Sequence, residues 1–151
     1  MPPFRIRPFS TRISTMLQRV SFQTGSVRSA YEGLLRFRGM ELPARQMLAL
    51  LPGLDAMCEG VPIWGMTSHE RLFLFSVPDR EGGRLLVRIT PEGSGGYRVG
   101  YPVADAKGAT GETLTVDVAG TPEEALALIA VALQHTPGLD PPPSSLSERS
   151  K

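Results

Sequence analysis

A chain of 151 residues with 41% hydrophobic and 21% charged residues has the length and balance of one compact domain that buries its own core without staples. No uninterrupted apolar segment approaches the roughly 20 residues that span a bilayer, and the start lacks the apolar run of a secretory signal, so a cytoplasmic protein with no membrane association is expected. The single Cys58 excludes an internal disulfide and a thiolate metal cluster.

The formal net charge of +1 conceals a division. Residues 1–40 hold seven arginines (Arg5, Arg7, Arg12, Arg19, Arg28, Arg36 and Arg38) against Glu32 alone, a local net of +6; residues 41–151 hold nine basic and fourteen acidic residues, a net of −5. A basic arm thus precedes an acidic body. The expected organisation is an arm or edge strand over 1–23, a single α+β domain over 24–136 and a disordered tail over 137–151, where Pro and Ser dominate and little can be buried.

In chain order, Phe4-Arg5-Ile6-Arg7 alternates as an edge strand would, cut short by Pro2, Pro3 and Pro8. Val27, Ala30, Tyr31, Leu34 and Leu35 fall at helical spacing behind a capping Thr24 or Ser26, with Gly39 as the stop. A second helix is expected to start at Pro43, to run through Met47, Leu48, Leu50 and Leu51, and to break at Pro52-Gly53, with one helical turn resuming over 54–59. Next come strands over Val61–Met66 and Leu72–Val77, and then three more apolar runs divided by turn clusters, Pro78–Gly83 and Pro91–Gly96 among them. The pattern predicts an antiparallel meander of about five strands. Leu85, Val87 and Ile89, then Tyr97, Val99, Tyr101 and Val103, then Leu114, Val116 and Val118 are expected on its core face. The other face, with Leu86, Arg88, Thr90, Arg98, Gly100, Pro102, Thr113, Thr115 and Asp117, is expected to be largely polar. Thr121-Pro122-Glu123-Glu124 has the cap, first-turn proline and third-position glutamate of a helix start, and the apolar run to Leu133 is expected to close over the sheet.

Few residues invite chemistry. Ser68, His69 and Glu70, with Trp64, Asp55 and Cys58 upstream, can be imagined as a small hydrolase or ligand site, but neighbours in one turn point apart and no nucleophile elbow accompanies them. His135 stands where a histidine satisfies the last carbonyls of a helix. Cys58 reads as a small buried residue. Gly93-Ser94-Gly95-Gly96 lies between strands and lacks the Lys-Ser/Thr ending of a phosphate loop, so it reads as a hairpin turn. No catalytic residue, metal or cofactor is predicted.

Three function classes follow. A non-enzymatic protein-interaction module, of the immunity-protein, antitoxin or secretion-adaptor kind, would hold a protein partner through its acidic surface and a sheet face. A single-stranded nucleic-acid binder would use the basic arm with Arg88 and Arg98, and the arm's Arg- and Ser-rich composition also suits an organelle-targeting segment. The third is the hydrolase or ligand reading at Ser68, His69 and Glu70. The candidate binding residues are Trp64, His69, Glu70, Arg88 and Arg98.

Overall fold

The computed structural model describes residues 17–78, 85–102 and 114–134. The arm before residue 17, Phe4 to Arg7 included, the cluster at 79–84, residues 103–113 with Val103 and Thr113, His135 and the tail lie outside them. The described elements run β1 (Gln18–Arg19), α1 (Val27–Leu34), α2 (Glu41–Met57), β2 (Trp64–Ser68), β3 (Arg71–Phe75), β4 (Leu85–Pro91), β5 (Tyr97–Pro102), β6 (Leu114–Ala119) and α3 (Pro122–Gln134).

The class is α+β, with one six-stranded sheet in the order β1-β2-β3-β4-β5-β6. β2 to β6 form an antiparallel meander. The sheet is mixed rather than purely antiparallel, because Gln18 and Arg19 pair in parallel with Trp64 and Gly65. A parallel neighbour requires a crossover, and α1 with α2 supplies it. Arg19 anchors this short strand: its guanidinium donates to Gln23 Oε1, the Thr24 carbonyl and Thr67 Oγ1, while Gln23 exchanges two hydrogen bonds with the Thr67 backbone at 2.9 and 3.0 Å.

α1 starts at Ser26, whose side chain accepts from the Ser29 N–H while Ser29 Oγ accepts in return, each at 3.0 Å. α2 departs from expectation. It is continuous from Glu41 to Met57 with Pro52 inside it, so residues 54–57 are its last turn and not a separate one. Proline removes one intrahelical donor, but Met47, Leu50, Leu51 and Leu54 share the buried face, each at most 1% exposed, and their burial offsets that loss. Gly53 lets α2 approach α3 closely; a Cβ there would run into the end of Leu126. α3 opens as its residues require: Thr121 Oγ1 accepts from the Glu124 N–H at 3.1 Å, and Glu124 reaches back to the Gly120 N–H at 2.8 Å.

One sheet face carries the core. The register aligns Leu72 and Leu74 with Ile89 and Val87, and Ile89 with Val99, all fully buried. Val27 and Tyr31 of α1, Met47 to Leu54 of α2, and Ala125, Ile129 and Ala132 of α3 join them in a single cluster. The outward side of α3 is less apolar in its surroundings than its composition suggests, with Val131 46% exposed. Between Leu74 and Phe75 the β3–β4 register shifts, and this irregularity takes Leu86, expected on the polar side, into the core at 1% exposure.

β6 is inverted relative to expectation. Asp117 lies across from Val99 and Ala119 across from Tyr97, so Thr115, Asp117 and Ala119 share the core side and only Ala119 is fully buried. Val116 and Val118 point to the other face, 39% and 68% exposed. Alternation says which residues travel together but not which side they take. At the end of the sheet the small Ala119 is what fits beneath α3, and the valines go outward.

Candidate sheet-face interface

The three helices pack on the Leu72–Val87–Val99 side, and no described helix lies over the opposite side. Two cross-strand rows build that open side. Trp64 lies across from Phe75 on β2 and β3, and Met66 lies across from Phe73. The second row continues from Phe73 to Arg88, Gly100 and Val116 through β4, β5 and β6. Beside it, Thr90 pairs with Arg98 and Arg98 with Val118. Trp64, Met66, Phe73, Phe75 and Arg88 are half-buried, shielded by their neighbours but not enclosed. This side is therefore not largely polar, as expected from β4 and β5 alone. β2, β3 and β6 make it an aromatic and aliphatic surface with arginines set into it, and the alternation of Leu72-Phe73-Leu74-Phe75 divides leucines to the core and phenylalanines to the open side.

The charged residues in the register rows of this face are all arginines. Arg71, Arg88 and Arg98 project from it by strand alternation, and no carboxylate occupies its register rows. Arg98 is engaged by Glu92, at the start of the turn that follows β4. Among the described residues Arg71 and Arg88 make no ion pair.

The candidate residues therefore separate into two places. Trp64, Arg88 and Arg98 share the open face. His69 and Glu70 form the two-residue turn between β2 and β3, beyond the Ser68–Arg71 pair. There His69 is exposed, and among the described residues no hydrogen bond joins its imidazole to Ser68 or Glu70. The Glu70 contribution to the fold is its carbonyl, which accepts from the buried Tyr31 hydroxyl at 3.2 Å. His69 has a φ of 57°, a left-handed value that a two-residue hairpin turn prefers to fill with glycine. His69→Gly is expected to raise stability by about 0.5–1 kcal/mol, because relief of the left-handed strain exceeds the entropy lost by glycine. Urea denaturation checks it, and a loss of stability would mean that the imidazole makes a contact the geometry does not contain.

Cys58 is 6% exposed, and burial first, with the charge of Asp55 second, pushes its thiol up to about 12. It stays protonated at neutral pH and is a poor nucleophile. Asp55, partly buried, accepts the Leu17 N–H at 2.7 Å and so holds the entry to β1. The glycine-rich segment is a hairpin turn: Glu92 N–H donates to the Gly96 carbonyl at 2.8 Å and Gly95 N–H to the Glu92 carbonyl at 3.0 Å. Among the described residues no group of three or more His, Cys, Asp and Glu side chains could hold a metal ion, and no helix is long and apolar enough to cross a membrane.

Sequence reasoning set Arg88 and Arg98 beside a Phe73 or Phe75 row but missed Met66, Val116 and Val118 on the same side. The available signal was Leu72-Phe73-Leu74-Phe75, apolar on both alternations, which announces a strand with work on both sides. Comparison of the chain with protein-family models, with curated proteins and with solved structures finds no match.

Proposed function

We propose that the protein is a non-enzymatic protein-interaction module whose contact surface is the open sheet face. The observation that carries this reading is the register that brings Trp64, Met66, Phe73, Phe75, Val116 and Val118 onto one side with no described helix above them. The apolar side chains form two groups, Trp64, Met66, Phe73 and Phe75 on β2 and β3 and Val116 and Val118 on β6, with Arg88, Gly100 and Arg98 between them; exposed apolar surface costs solubility, and aromatic residues with arginine are what protein interfaces favour at their centres. The sheet supplies rigidity, so little conformational freedom is lost on docking. Among the described residues the register rows of this face hold no carboxylate, so the partner meets arginines and apolar side chains.

Single-stranded nucleic acid is the second reading, favoured by one observation: Arg88 lies directly across from Phe73, a pairing that can stack a base and neutralise its phosphate. The aliphatic share of the face and a chain-wide charge of only +1 weigh against it.

The test uses the full chain and a variant carrying Phe73→Ser, Val116→Ser and Val118→Ser, each immobilised and exposed to native lysate of the source cell. A protein retained by the wild type, lost by the variant and rebound as a purified component is the expected result. Equal retention by both, or binding of single-stranded RNA at low salt that vanishes in Arg88→Ala/Arg98→Ala, overturns it.

A further inference from the structure

We infer that the occupant of the open face is an amphipathic helix of a partner protein, its apolar stripe flanked by carboxylates. This rests on the reading of that face as a protein-docking surface. Its argument is charge complementarity. The face presents Arg71, Arg88 and Arg98 and no carboxylate within its rows; Arg98 is answered by Glu92, which leaves Arg71 and Arg88 without an acidic partner among the described residues. A partner that covers the apolar row would partly desolvate Arg88, which sits between Phe73 and Gly100. An arginine taken out of water requires a carboxylate in compensation.

The same arginines argue against the other occupants. A second copy laid face to face would bring like charges together over an apolar contact, an arrangement that interfaces avoid. A polynucleotide needs stacking partners along its path, and Met66, Gly100, Val116 and Val118 offer none. A single strand added at the β6 edge would leave Trp64 and Phe75, on β2 and β3, uncovered.

Dimensions suit a helix. The row from Met66 on β2 to Val116 on β6 crosses four inter-strand gaps, roughly 19 Å at the usual strand spacing, which about 13 residues of helix would cover.

The experiment uses two synthetic helical peptides of about 18 residues, five turns of helix, with the same leucine stripe, one flanked by glutamate and one by lysine. Trp64 is the only tryptophan of the chain and lies on the face, so its fluorescence reports binding directly. The glutamate peptide is expected to bind at least about tenfold more tightly than the lysine peptide, with an affinity that falls as salt rises. Arg71→Glu/Arg88→Glu is expected to reverse the preference, and Arg71→Glu alone, at an exposed position, to narrow it without touching the fold. Equal affinity for the two peptides, binding of neither, or a preference unmoved by the arginine substitutions overturns the inference. The capture experiment with the Phe73/Val116/Val118 variant is independent of these outcomes. If capture stays face-dependent while the peptides show no charge preference, the docking surface stands and only this occupant falls; if capture ignores the face, the underlying reading falls first.

Discussion

Val99→Asp is expected to abolish cooperative folding, whereas Val118→Asp, on the adjacent rung of the β5–β6 ladder, is expected to change stability by no more than about 0.5 kcal/mol. Val99 is fully buried between Ile89 and Asp117 in the register and faces the helices. A carboxylate there has no cation within the core cluster to compensate it, and burying an unpaired charge costs several kcal/mol, comparable to the whole stability of a domain of this size. Val118 is 68% exposed on the open face, opposite Arg98, so its replacement meets water and a guanidinium. Circular dichroism with urea titration measures both. Were Val118→Asp to unfold the protein and Val99→Asp to be tolerated, β6 would have to present its other side to the core and the proposed interface would not exist.

The second large effect is expected at Tyr97. Its ring is 1% exposed, and its hydroxyl donates to the Gln46 carbonyl on α2 at 2.7 Å. Gln46 Nε2 donates in turn to the Gly96 carbonyl at 2.8 Å. Gln46 Oε1 is buried without a hydrogen-bond partner among the described residues. α2 is thereby latched to the start of β5 by two crossing hydrogen bonds over 50 and 51 residues of sequence. Burial, with Glu123 nearby, raises the Tyr97 pKa, so the hydroxyl remains a donor at neutral pH and above. Tyr97→Ala removes both the ring and the latch and is expected to cost about 3–5 kcal/mol. Tyr97→Phe keeps the ring and is expected to cost only about 1 kcal/mol, the net worth of one hydrogen bond. The denaturation midpoints of the two variants separate these contributions. Similar losses for both would mean that the hydrogen bond, and not the packed ring, dominates. The neighbouring Gly96 cannot absorb a replacement, since a Cβ there would overlap the Ala119 carbonyl.

Much of the architecture is legible in local chemistry. Ser26, Thr121 and Glu124 announce their helix starts because a cap is a contact between residues three apart. The turn at Glu92–Gly96 is announced by its glycines, and the meander by its alternation. What failed to show is of another kind. Nothing around Gln18 announces a parallel pairing with Trp64, because the partner lies 46 residues away and the pairing depends on how α1 and α2 return the chain. Pro52 reads as a helix end until Leu54 is seen to share a buried face with Leu50 and Leu51. Of the candidate site, Trp64, Arg88 and Arg98, with a Phe73 or Phe75 row beside the arginines, were visible as residue types that interfaces use, while Met66, Val116 and Val118 became part of it only through register.

By itself, then, the amino-acid sequence determined the class of the domain, the starts of two helices, the hairpin turn at Glu92–Gly96 and the lack of a recognisable catalytic motif, all of which rest on contacts within a few residues. Only the tertiary structure decided which side of each strand meets the helices. A period of two pairs residues onto faces but carries no sign, and the sign is chosen by volume and charge across strands: Ala119 fits under α3 beside Tyr97, and Val116 and Val118 are left on the side with the phenylalanines and arginines. That choice is what leaves aromatic, aliphatic and arginine side chains together on the side that no described helix covers.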